Sequence, residues 1–132
     1  MTDGVTDEGA ATAPPIGRVG ATPAGVALGP LAIVPDGGAR GFVLQLRAGR
    51  FHGFVVRRGE VVRGYVDRCP HAGVTLAREL DDYLAPDGGL IACSWHGAVF
   101  DWDTGMCVGG PCVGARLAPW PVAVADGTLR TA

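Results

Sequence analysis

Apolar and polar positions alternate along this chain over short runs separated by turn residues, the pattern of β-strands. Residues 41–47 alternate in this way. Residues 51–57 and 61–66 then flank Arg58-Gly59-Glu60, which predicts a β-hairpin. Residues 90–92, 98–102 and 106–108 predict three further short strands, with Asp103-Thr104-Gly105 turning the chain between the last two. At the end of the chain, residues 120–125 and 128–130 face each other across Asp126-Gly127, a favoured two-residue hairpin turn. Nearer the start, residues 31–34 predict a strand, and Pro35-Asp36-Gly37-Gly38 a turn. Residues 16–29 are apolar but broken by Gly and Pro, which suits short edge strands. Residues 76–84 place apolar side chains at Leu76, Leu80 and Leu84 with acids between, predicting one or two helical turns. Asp87-Gly88-Gly89 predicts a turn, and residues 1–15 a poorly ordered tail.

Composition agrees with a turn-rich chain of strands. There are 22 Gly and 10 Pro in 132 residues, and charged residues make up only 18%. The length suits one domain, residues 16–132, and 48% hydrophobic residues suffice for a core. The net charge of −2 argues against nucleic-acid or membrane-surface partners, which select basic patches. Residues 1–8 are acidic and lack the apolar stretch of a signal peptide. No apolar run approaches the roughly 20 residues that span a bilayer. The expectation is a soluble, cytoplasmic protein.

The candidate chemistry lies in two short clips. Cys69-Pro70-His71 is followed, after 21 residues, by Cys93-Ser94-Trp95-His96. Two Cys and two His at this spacing form a metal-ligand set. Tetrahedral zinc is one reading, but zinc modules usually pair Cys with Cys and His with His. Here each clip mixes the two, and the first has a single spacer. The residues downstream are His96-Gly97-Ala98-Val99-Phe100-Asp101, then Thr104-Gly105 and Gly110-Pro111. C-x-H, then C-x-x-H-G, then a Gly-Pro loop resembles the Rieske [2Fe–2S] family in its soluble ferredoxin form.

That resemblance implies an all-β fold: an antiparallel sandwich or barrel base, with a small cluster-binding β subdomain, about residues 67–113, inserted in it. It implies one [2Fe–2S] cluster. Cys69 and Cys93 would hold one iron as thiolates, and His71 and His96 the other as neutral imidazoles. Replacing two thiolates by imidazoles removes negative charge, so the cluster accepts an electron more readily than an all-cysteine one. High-potential members add a disulfide between the ligand loops, but the matching positions here are Val74 and Trp95. They also place hydroxyls where this chain has Ala98 and Phe100. Without those donors to the cluster sulfurs, a low-potential centre is expected. Gly109-Gly110-Pro111 matches the loop that covers the cluster. Cys107 and Cys112 flank it as buried free thiols, with a redox-active pair as the alternative. Trp95 is expected to pack beneath its loop or to lie exposed as docking surface. Phe100 is read as a core residue, and His52 as a strand residue with a local hydrogen bond.

The function implied is one-electron transfer. A flavin-dependent reductase would supply the electron, and a terminal oxygenase or another redox enzyme would accept it through transient contacts. A catalytic oxygenase subunit needs a second iron held by two His and a carboxylate, and only His52 remains to build it. A small Rieske subunit of a nitrite-reductase-type complex and a redox sensor are the alternatives.

Overall fold

A computed structural model describes residues 18–70, 75–77, 81–86, 89–95 and 97–132. The tail 1–15, both candidate ligands His71 and His96, Val74, Leu80 and the pair Asp87-Gly88 lie outside the described residues. The strands are β1 Arg18–Val19, β2 Ala27–Pro30, β3 Ala39–Gln45, β4 Arg50–Arg58, β5 Val61–Val66, β6 Leu90–Ala92, β7 Val99–Asp101, β8 Cys107–Gly109, β9 Val122–Ala125 and β10 Thr128–Thr131. They form three sheets. One has β3 on one edge of β4, and β1 and β5 on the other; the second runs β2-β10-β9; the third runs β6-β7-β8. Among the described residues, regular helix is limited to one 3-10 turn, Leu31–Ile33.

Strand β4 organises the molecule because both its faces are buried. Phe51 and Val55 point into one core, with Val34, Val62, Trp120 and Leu129, between the first two sheets. Phe54 and Val56 point the other way, into a core that includes Tyr65, Leu76, Tyr83, Ile91, Phe100 and Leu117. This second core also contains Cys69, Cys93 and Cys107. A strand buried on both faces reads as a continuous apolar run, and Phe54-Val55-Val56 is one. Where β4 crosses Trp120 it needs a glycine. A Cβ on Gly53 would sit 2.5 Å from the Phe51 ring and 2.6 Å from the Trp120 ring.

Three expectations are corrected. Residues 31–34 are not a strand. The β2–β10 ladder ends at the Pro30–Thr128 pair, Pro30 has no N–H to extend it, and the Leu31 N–H donates to Gly127 O in the hairpin turn. A single 3-10 turn then buries Val34 in the core. The described part of residues 76–84 is not helical. Leu84 makes a β-bridge with Ile91, and the Ala92 N–H donates to Tyr83 O, so this segment lies extended against β6. Asp81 sits at φ 61°, outside the helical region, where its carboxylate accepts the Gly41 N–H at 2.8 Å. Finally, the base is not purely antiparallel, because β1 pairs with β4 in parallel.

Candidate metal centre

Strand β5 delivers the first clip. Its Tyr65 is buried, and its hydroxyl donates to Trp102 O at 2.8 Å, tying the base to the turn after β7. Burial pushes the Tyr65 pKa up to about 12, so the hydroxyl stays a donor. Asp67 follows, buried, and then Cys69, which is 0% exposed. The Asp67 carboxylate spans the clip from root to end: one oxygen accepts the Leu76 N–H at 2.8 Å, the other the Tyr83 hydroxyl at 2.7 Å. Tyr83 is itself fixed by stacking on Phe54, with ring centroids 4.4 Å apart. Burial first, and Asp67 second, raise the Tyr83 pKa far above the usual phenol range.

The second clip leaves β6 and returns on β7. Cys93 is 2% exposed. Its N–H donates to Ala98 O at 2.8 Å, and the Gly97 N–H donates back to Cys93 O at 3.2 Å, closing a tight loop. Two contacts fasten this loop to the end of the first. The Ser94 N–H donates to Leu76 O at 2.8 Å, and the Trp95 indole N–H donates to Thr75 O at 2.7 Å. Trp95 is 43% exposed, so its ring lies at the surface rather than beneath the loop.

A third loop follows β8 and covers the second. Gly110 has φ 87°, and a Cβ there would meet Ala98 Cα at 2.7 Å and Gly97 O at 3.0 Å. Only a glycine allows this backbone approach. Cys107 is buried and Cys112 partly so, with their Sγ atoms 2.9 Å apart. Burial, then Cys107, and more weakly Cys69 and Cys93, push the Cys112 thiol up to about 12. Cys69, Cys93 and Cys107 belong to one core, and Cys112 packs against it.

These features fit one end of a [2Fe–2S] centre: two sheltered thiols at the roots of two loops bonded to each other, under a third loop of bare backbone. The family model of the Rieske [2Fe–2S] domain matches residues 35–125. The chain belongs to the Rieske [2Fe–2S] domain family.

Solved structures agree on the fold. The ferredoxin of carbazole 1,9a-dioxygenase from Nocardioides aromaticivorans IC177 is similar, at 24% identity and TM-score 0.64, over 81% of this chain and 95% of that one. A chain in a complex of reduced oxygenase and oxidised ferredoxin of carbazole 1,9a-dioxygenase is 26% identical, with TM-score 0.63, covering 81% of this chain and 91% of that one. The terminal oxygenase of the Nocardioides system is similar over 80% of this chain but only 29% of its own, at 22% identity and TM-score 0.65. No curated protein matches the chain.

The structure places three further residues that the sequence singled out. Ala98 and Phe100 are fully buried behind the second clip and offer no hydroxyl. His52 lies in β4, where its carbonyl accepts the Asp67 N–H at 2.9 Å; burial, then Arg18, lower its pKa. The sequence reading missed Asp67 and Tyr83. No local signal marks them, because one acid at a strand end and one Tyr in a loop are ordinary until the fold pairs them. Beside Cys69 lies an open groove of about 500 Å³ lined by Arg68, Pro70, Arg116 and Ala118 among others.

Proposed function

We propose that this protein is a one-electron carrier in which Cys69 and Cys93 hold one iron of a [2Fe–2S] cluster and His71 and His96 the other. When bound, the cluster accepts and returns a single electron. The observation that supports this reading is the burial of Cys69 and Cys93 at the roots of two clips that Leu76, Thr75 and Gly110 fasten into one unit.

The protein's own residues would do three things. The thiols fix one end of the cluster. Asp67, Tyr83 and the Ser94–Leu76 bond hold both clips in place before and after electron transfer, which keeps reorganisation small. The Gly110 loop limits water at the buried end. Neither the Ala98 nor the Phe100 side chain has a group that can donate a hydrogen bond, and this supports a potential in the lower part of the Rieske range.

The electron's destination in this proposal is a terminal oxygenase, and its source a flavin-dependent reductase. The likeness to a carbazole dioxygenase ferredoxin, over nearly all of that chain, supports the first half. Exposed Trp95 on the second clip, Val108 on β8 and Val113 after the covering loop offer apolar contact surface for such a partner. Residues about 67–113 would act as the cluster-binding unit, and the protein would work in the cytoplasm. Among the described residues no helix is long and apolar enough to cross a membrane.

The test is an anaerobic redox titration of the reconstituted protein, followed by mixing of the reduced form with a Rieske terminal oxygenase. A reversible one-electron wave at a potential below zero, with rapid reoxidation by the oxygenase, is expected. A wave well above zero, or a reduced protein that no oxygenase reoxidises, contradicts it.

A further inference from the structure

Cys107 and Cys112 have no part in the proposed ligand set, yet the fold sets their two thiols side by side. Their Sγ atoms are 2.9 Å apart across five positions of chain. A disulfide needs about 2.05 Å, so closure asks for an approach of less than about 1 Å. The backbone is already fixed for it. The Cys107 N–H donates to Ala115 O at 2.8 Å, and the Ala115 N–H donates to Cys112 O at 2.9 Å. On its other side Cys107 pairs with Phe100 in the β7–β8 ladder. Between the two thiols lies Gly110, pressed against the backbone of Gly97 and Ala98.

We propose that Cys107 and Cys112 close into a reversible disulfide by exchange with a small-molecule disulfide, and that the bridge latches the covering loop onto the second clip. The two sulfurs have different roles because their exposure differs. Cys112 is partly exposed, so its thiolate attacks one sulfur of the small disulfide. That S–S bond breaks, one small thiolate leaves, and Cys112 carries the mixed disulfide. Buried Cys107, as thiolate, then attacks the Cys112 sulfur and displaces the second small thiolate. Two protein thiols lose two electrons, the small disulfide gains them, and the two protons released by the protein go to the leaving thiolates. The pair moves two electrons and the cluster one, so the bridge is a latch on the site and not a relay through it.

The test incubates the cluster-loaded protein with oxidised glutathione under anaerobic conditions. Intact mass and peptide mapping read the bridge, and visible absorption reads the cluster. The expected result is loss of two hydrogens, a link between Cys107 and Cys112, retained colour, and slower bleaching by an iron chelator than in the dithiol form. Cys107→Ser should stop at a glutathione adduct on Cys112, and Cys112→Ser should give no bridge. A coloured protein with both thiols still open to alkylation overturns the bridge. An adduct on Cys107 in place of Cys112 overturns the order of attack, and equal bleaching rates overturn the latch. Because mass and colour are separate readouts, a colourless preparation counts against the cluster reading and leaves the thiol result interpretable.

Discussion

At the scale of single residues, the site is set by what Ala98, Phe100, Gly110 and Asp67 offer or withhold. Ala98 and Phe100 are buried and have no donor, so Ala98→Ser and Phe100→Tyr should each raise the midpoint potential. The expected rise is on the order of tens of millivolts, since about 1 kcal/mol of extra stabilisation of the reduced form corresponds to ~40 mV for one electron. Voltammetry of the two variants checks this. Gly110→Ala places a methyl against Ala98 Cα at a φ that L residues avoid. Weaker cluster retention is the expected outcome, read as faster bleaching by chelator, with the base sheets still folded by circular dichroism. Tyr83→Phe strips one partner from a buried carboxylate, at a cost of about 1–3 kcal/mol in a denaturant titration. The spacing of the clips singled out Cys69 and Cys93, which the fold buries. Asp67 was not, because its partners Leu76 and Tyr83 lie 9 and 16 positions away.

At the scale of elements, strands stood out in the sequence wherever a turn residue bounded an alternating or continuous apolar run. The β4–β5 and β9–β10 hairpins and the β6 strand are of this kind. The reading failed where a long-range bond decided the outcome. Residues 31–34 have strand composition, but Gly127 captures the Leu31 N–H and a 3-10 turn results. Residues 76–84 have helical spacing, but the φ of Asp81 and the Leu84–Ile91 bridge keep the described residues 81–84 out of a helix. The Tyr65 hydroxyl ties β5 to the turn after β7. Tyr65→Phe leaves the Trp102 carbonyl without it, so a loss of about 1–3 kcal/mol in global stability is expected by denaturant unfolding.

At the scale of the whole molecule, β4 is the wall shared by a structural core and a core that shelters the sulfurs. The His52 carbonyl on this wall also anchors the root of the first clip, by accepting the Asp67 N–H. The lowered pKa of His52 then has a definite sign. Its ordinary value is 6.5, and the folded value is lower, so the unfolded chain binds the proton first as pH falls. Stability should decline as pH drops below about 6.5 and level off once the folded-state pKa is passed. His52→Gln should remove that part of the slope in a comparison of melting curves.

The most direct measurement of the central claim is electron paramagnetic resonance of the reduced protein, joined to iron and sulfide analysis. Two irons and two acid-labile sulfides per chain are expected, with one unpaired electron per pair of irons coupled to histidine nitrogen. Zinc in place of iron, or a reduced iron centre without nitrogen coupling, would contradict the account.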